Sequence, residues 1–398
     1  MQDTPTGDRI HIGFFGRRNS GKSSVVNAVT GQELSVVSDV KGTTTDPVKK
    51  SMELLPLGPV LIIDTPGFDD AGSLGELRVE QTRKVLSGTD IAVLVMDATE
   101  GMTEADRQLI SIFNEKKIPY VSVYNKCDLL AVADMRRLSQ EEHAILVSAK
   151  DKKNIDQLKE AIALKSDPGA VRPLVSDLVL PGETVLLIVP IDESAPKGRL
   201  ILPQQQVIRD LLDAEAVSVV CGVDRIADTL GKLSTPPRLV ITDSQVFDRA
   251  SAAVPEDIYL TSFSILMARK KGFLAAAVEG VSGLETLSDG AHILIAEGCT
   301  HHRQCKDIGT VKLPAMIRKF TGKEPRFSFC SGGDFPEDPS VYDLVIHCGG
   351  CMIGDREVVS RMQATLAAGV PFTNYGTAIA KMNGILDRSL AIFHGRYT

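Results

Sequence analysis

The sequence predicts an α/β chain: an N-terminal domain on a mostly parallel sheet, followed by two smaller α/β domains. Three observations carry this prediction. Apolar runs of strand length alternate with amphipathic helical stretches through the first roughly 165 residues. A polar, Pro/Gly-containing stretch, LKSDPGAVRP at 164–173, then reads as a linker. Beyond it, apolar runs and helical patterns alternate again, and 398 residues suffice for two or three domains.

The first domain is expected over residues 1–167. Its strands are read from IHIGFFG, VLIIDTP, IAVLVMDA, YVSVYNK and AILVSAK, with SSVVNAVTG as the first helix. A second domain is expected over 174–265. ETVLLIVPID, VSVVCGV and RLVITDS are its strands, and PQQQVIRDLLDAEA is a helix opening just after a proline. The third spans 266–398, with strands AHILIAEG, YDLVIHCGG and VPFTNYG. REVVSRMQATLAAG is the helix between the last two and stops at a glycine.

Composition narrows the function. Apolar residues make up 43% and charged residues 24%, an ordinary globular balance. The net charge is −7 and no dense Lys/Arg run occurs, which argues against a protein that mainly holds nucleic acid or anionic lipid. Trp is absent and Tyr scarce, so base-stacking platforms are not expected. The first residues lack a charged-then-apolar leader, and no apolar run reaches the roughly 18–20 residues of a membrane span. The expectation is a cytoplasmic protein. Of seven cysteines, five (Cys299, Cys305, Cys330, Cys348, Cys351) fall in the last hundred residues, a skew that points to metal handling.

Gly16-Arg17-Arg18-Asn19-Ser20-Gly21-Lys22-Ser23 matches G-x-x-x-x-G-K-[ST], after an apolar strand and at the start of a helical stretch. Such a loop turns backbone N–H groups toward phosphate oxygens at a helix N-terminus, where the dipole favours anions. Lys22 is expected against the β- and γ-phosphates, Ser23 on Mg²⁺ and Ser24 among the nucleotide-binding residues. Asp64-Thr65-Pro66-Gly67 ends a strand, so Asp64 can reach the Mg²⁺ shell and the Gly67 N–H can sense a γ-phosphate. Asn125-Lys126-Cys127-Asp128 resembles the N-K-x-D signature, in which the carboxylate of Asp128 accepts from guanine and rejects adenine. Ser148-Ala149-Lys150 resembles the last guanine-contacting motif. Gly42-Thr43-Thr44-Thr45-Asp46 resembles a switch segment, with Thr44 as its Mg²⁺ ligand. Four motifs in order after a phosphate loop predict a GTPase.

Phe68 follows Asp64-Thr65-Pro66-Gly67 where Ras-like GTPases carry the glutamine that orients the attacking water. The chain instead resembles the TrmE-Era branch, whose potassium-activated members carry a P-loop asparagine. Asn19 stands at that position. The resemblance implies a K⁺ near Asn19, placed where an arginine finger would act.

Cys299-Thr300-His301 lies just past one C-terminal strand and His347-Cys348-Gly349-Gly350-Cys351 just past another. If both strands are parallel in one sheet, both groups project at its C-terminal edge, where open α/β sheets place ligands. Thiolates suit an iron–sulfur cluster or zinc. Three cysteines plus a fourth donor among Cys305, His301, His347 and Asp307 leave that ligand undetermined. A closed zinc site and a redox dithiol remain alternatives.

A TrmE-Era-like domain, a small α/β domain, then C-x-H and a distant H-C-x-x-C together resemble the maturation GTPases of FeFe hydrogenases. The resemblance spans essentially the whole chain, and its specific part is Cys299, His301, His347, Cys348 and Cys351. It implies a homodimer through the middle domain and a 4Fe-4S cluster on Cys299, Cys348 and Cys351. It also implies a scaffold that receives components from two radical-SAM maturases and delivers a di-iron precursor to apo-hydrogenase. The rival expectations are a ribosome- or tRNA-associated GTPase with a zinc-stabilised accessory domain, and a redox-sensing switch using Cys348 and Cys351.

Overall fold

The computed structural model describes residues 4–32, 47–67, 82, 85–138, 144–166, 172–191, 200–299 and 307–397. The chain divides into two compact units, residues 1–170 and 171–398.

The first unit holds a six-stranded sheet. Its strands are β1 (Ile10–Phe15), β2 (Val48–Leu54), β3 (Gly58–Asp64), β4 (Ile91–Asp97), β5 (Tyr120–Asn125) and β6 (Ala144–Leu146), in the order β2-β3-β1-β4-β5-β6. All pairs are parallel except β2 with β3. A parallel sheet is buried on both faces, so its strands are continuous apolar runs without alternation. Ile12 and Phe14 pack with Val25, Val29 and Leu158 on one face; Phe15, Leu94 and Met96 pack with Leu109 and Phe113 on the other. β1, β3, β4 and β5 therefore bring Gly16, Asp64, Asp97 and Asn125 to one carboxyl edge.

The second unit contains two parallel four-stranded sheets. One has the order β10-β9-β7-β8, from β7 (Thr184–Ile188), β8 (Val217–Cys221), β9 (Leu239–Thr242) and β10 (Tyr259–Ser262). The other has the order β12-β11-β13-β14, from β11 (His292–Glu297), β12 (Arg326–Ser331), β13 (Leu344–His347) and β14 (Phe372–Asn374). The predicted fold class is the observed one. A single apolar core runs through both sheets, from Leu174 to Phe393. The boundary expected between 265 and 266 falls inside the helix Phe263–Lys270. No helix among the described residues is long and apolar enough to cross a membrane.

Candidate functional site

The phosphate loop is built by two glycines that no other residue can replace. Gly16 has φ +149°, and a Cβ there would lie 2.2 Å from the Val95 carbonyl oxygen. Gly21 has φ +81°, and a Cβ there would lie 2.2 Å from Asn125 Nδ2. Between them Asn19 turns through φ +63° with its side chain exposed. Ser20 Oγ donates to the Arg17 carbonyl at 2.9 Å and closes the loop. The helix Lys22–Thr30 starts at Gly21, so its unpaired first-turn N–H groups, with Ser24 among them, face the loop.

Ser23 Oγ donates to Asp64 Oδ2 at 2.8 Å, and Lys22 Nζ pairs with Asp64 Oδ1 at 2.9 Å. The hydroxyl and carboxylate expected to share Mg²⁺ thus converge on one point beside Lys22, the lysine expected on the phosphates. Thr65 Oγ1 donates to the Phe14 carbonyl at 2.7 Å, which fixes the turn after Asp64. Gly67 lies against the loop: a Cβ there would come within 2.8 Å of the Arg18 nitrogen.

Asn125 ties three motifs together. Its Nδ2 donates to the Ser20 carbonyl at 3.1 Å, and its Oδ1 accepts the Ala149 N–H at 3.1 Å. The loop Ser148-Ala149-Lys150 is further held by Ser148 Oγ, which donates to Asp151 Oδ2 at 3.2 Å. Lys126, at φ +66°, pairs with Asp97 Oδ2 at 2.6 Å. Burial works against the Asp97 carboxylate, but Lys126 and two donors from Thr99 hold it below the usual carboxylate range. Asp97 went unrecognised in the sequence; its signal was an acidic residue closing the apolar run IAVLVMDA. Asp128, the residue expected to contact guanine, is exposed.

In the second unit, β11 and β13 are adjacent and parallel, so Cys299 and Cys348 leave the same sheet edge. A Cβ on Gly298 would approach Gly350 Cα to 3.3 Å, so the two loops lie in contact. Gly350, at φ +69°, and Gly298 aim their N–H groups at Cys348 Sγ, at 3.3 and 3.1 Å. Burial pushes the Cys348 thiol up, while these two donors favour the thiolate. Gly349 packs on the helix Phe263–Lys270, where its Cβ would sit 3.1 Å from Met267 Cβ. Lys271, fully buried, holds the end of the turn through the Ile353 carbonyl at 2.9 Å and Asp355 Oδ1 at 2.8 Å.

Two candidates for a fourth ligand are engaged elsewhere. His347 is buried; its Nδ1–H donates to the Cys348 carbonyl at 2.7 Å and its Nε2 accepts from Arg361 at 3.3 Å. Burial and the Arg361 charge push its pKa down to about 3, so the ring is neutral. Asp307 Oδ2 caps its own turn, accepting from Thr310 N at 2.8 Å and Thr310 Oγ1 at 3.0 Å. Thr44, His301 and Cys305 lie outside the described residues. Among the described residues, no three His, Cys, Asp or Glu side chains stand close enough to hold one metal ion. A cubane cluster presents a separate iron to each ligand, so its thiolates stand farther apart than the ligands of a single ion. Lys271, Arg361 and the buried pair Glu297–Tyr375 carried no sequence motif.

Residues 275–392 match the family model described as "Hydrogen maturase F tetramerization domain", and 174–272 match "Hydrogen maturase F dimerization domain". Together the two cover more than half of the chain. The chain belongs to the hydrogen maturase F family. Residues 11–126 match a third model, "50S ribosome-binding GTPase". This hydrogen maturase F chain is similar to GTPase Der of Wolinella succinogenes, 36% identical over 41% of this chain and 36% of that protein. It is also similar to the tRNA modification GTPase MnmE of Desulforamulus reducens, 33% identical over 37% of this chain and 33% of that protein. The chain thus spans about a third of the length of these relatives. A solved structure of Aquifex aeolicus Era bound to GDP.AlF4- covers 53% of this chain and 92% of its own, at 19% identity and a TM-score of 0.36.

Proposed function

We propose that this hydrogen maturase F protein hydrolyses GTP and serves as scaffold and carrier in building the di-iron subcluster of FeFe hydrogenases. The observation that supports the reading is one chain that carries a phosphate-loop motif and, in its second unit, adjacent parallel strands β11 and β13 that lead into Cys299 and into Cys348 and Cys351. Ser23 and Asp64 fit Mg²⁺ because a hydroxyl and a carboxylate already meet there. Lys22 would then turn from Asp64 to the phosphates. Thr44 would join the Mg²⁺ shell, and Asn19, exposed on its left-handed turn, offers its amide oxygen to K⁺. Asp128 and the Ser148-Ala149-Lys150 loop select guanine.

The cysteine edge fits a 4Fe-4S cluster: thiolate donors on adjacent loops, and two N–H groups that already serve one sulfur. When bound, such a cluster offers one iron for an exchangeable ligand, the chemistry needed to hold and release a second metal fragment. With His347 and Asp307 engaged, His301 and Cys305 are the preferred fourth donors. The domain division proposed is 1–167 for GTP, 174–265 for dimerisation and 266–398 for the cluster. Partners would be the radical-SAM maturases and apo-hydrogenase, in the cytoplasm.

Dimerisation through the middle domain is supported by β8. This edge strand, VSVVC, carries no charge and leaves Val217 and Val220 49% and 47% exposed. Exposed apolar edges invite pairing with another chain. The functional reading is tested by maturation of apo-hydrogenase with anaerobically prepared protein. Wild type should activate the hydrogenase, and Lys22→Ala and Cys348→Ser should each fail; full activation by both variants would sink the proposal.

A further inference from the structure

GTP hydrolysis needs positive charge where negative charge builds. Water forms a bond to the γ-phosphorus, and the bond from that phosphorus to the β–γ bridging oxygen breaks. The electron pair of the broken bond stays on GDP, and both protons of the water leave on the phosphate as dihydrogen phosphate. Charge builds on the bridging oxygen and is spread over the γ-oxygens. The residue after Gly67 is Phe68, whose ring offers no hydrogen bond to the attacking water. Another group has to supply the stabilisation.

The phosphate loop carries two arginines. Arg17 reaches the segment after β4, where its guanidinium pairs with Glu100 Oε2 at 2.8 Å. Arg18, half-buried, is the residue on which Gly67 packs. A Cβ on Gly67 would stand 2.8, 3.0 and 3.2 Å from the N, Cα and Cβ of Arg18, its three nearest neighbours. Thr65 fixes that segment through the Phe14 carbonyl, and Asp64 at its start meets Ser23 and Lys22. The Gly67 N–H is the group expected on the γ-phosphate. The contact therefore roots the Arg18 side chain beside the place of the γ-phosphate.

We infer that Arg18 is a catalytic residue: an arginine finger supplied by the phosphate loop of the same chain. Its planar fork of donors meets two phosphate oxygens at once as their charge builds. The inference deepens the GTP-hydrolysis reading and rests on it. It is separable from the K⁺ proposed at Asn19, because the guanidinium acts whichever alkali cation is present.

Hydrolysis by the full chain, measured in KCl and in NaCl, tests it. Arg18→Met keeps the apolar stem and removes the guanidinium. Its kcat should fall about 10³-fold in both salts, the low end of what an arginine finger supplies, with KM little changed. Arg18→Lys keeps the charge without the fork and should recover part of the loss. GDP titrations in KCl, with and without aluminium fluoride, read the transition state directly. Wild type should bind GDP more tightly with the fluoride, which mimics the transferring phosphoryl group. Arg18→Met should keep its affinity for GDP alone and lose that gain. A wild-type rate in Arg18→Met, a loss confined to KCl, or an undiminished fluoride gain would overturn the inference. Equal weakening of GDP with and without fluoride would make Arg18 a loop-shaping residue and overturn it too. A wild type that hydrolyses no GTP would overturn the hydrolysis reading itself, and this inference with it.

Discussion

Ser23 and Asp64 meet through one hydrogen bond, 2.8 Å from hydroxyl to carboxylate, 41 residues apart in sequence. Adjacent parallel strands β1 and β3 make that meeting possible, because the helix after β1 starts where β3 ends. Replacing Asp64 by Asn should preserve the fold and weaken Mg²⁺-dependent GTP binding. A hydrogen bond to a charged group is worth about 1.5–3 kcal/mol, roughly 10- to 150-fold in affinity. Calorimetric titration with and without Mg²⁺ checks this; an unchanged Mg²⁺ dependence would remove Asp64 from the site.

Asn125 and Lys126 belong to the proposed guanine motif: Asn125 joins the Ser20 carbonyl to the Ala149 N–H, and Asp97 pairs with Lys126. Asp97→Asn should loosen Lys126 and weaken GTP binding. The Asp97 carboxyl lies below its ordinary value in the folded chain, so its stabilisation is present above its unfolded pKa of about 4 and fades as pH falls through the folded one. The gap in urea midpoint between wild type and Asp97→Asn should therefore be full at pH 6 and shrink toward pH 3. A gap that widens in acid would contradict the assigned pair.

The K⁺ reading rests on Asn19. Hydrolysis should be faster in KCl than in NaCl, and Asn19→Ala should abolish the difference while leaving nucleotide affinity nearly unchanged. Equal wild-type rates in both salts would exclude it.

Gly350 is the tightest point of the cysteine turn. A Cβ there would sit 2.9 Å from Val358 Cγ2 at φ +69°, where a side chain costs about 1–2 kcal/mol. Gly350→Ala should displace the N–H that serves Cys348 and speed loss of the cluster to an iron chelator. Absorbance decay under a chelator measures it. Wild-type retention in a folded variant would mean that the Gly350 N–H does not support the cluster.

Lys271 supports the same turn from below. Lys271→Met keeps the apolar stem but removes the contacts to Ile353 and Asp355. Cluster retention should fall while the urea midpoint moves little, since the charge left behind, on Asp355, is 43% exposed and stays solvated while the buried ammonium's desolvation cost is removed. A large loss of stability with intact cluster retention would make Lys271 a core residue only.

Much of this was legible beforehand. Buried parallel strands such as IAVLVMDA and AHILIAEG announce themselves as apolar runs, and the phosphate loop combines two glycines with a following helix. Three strands escaped. All three are edge strands, β2, β10 and β12, and none carries the long apolar run that marks a central parallel strand. His347 and Asp307 are candidate ligands by residue type; their contacts to Arg361 and Thr310 are visible only in the packing. Lys271 was hidden because a lone lysine reads as surface until its neighbours are known.

The central claim is that the Cys299–Cys348–Cys351 edge carries a 4Fe-4S cluster on a GTPase chain. EPR of anaerobically reconstituted, reduced protein, recorded beside Cys348→Ser, tests it most directly. The account predicts a 4Fe-4S signal in wild type that is lost or altered in the variant. No such signal in wild type, with zinc bound instead, would contradict it.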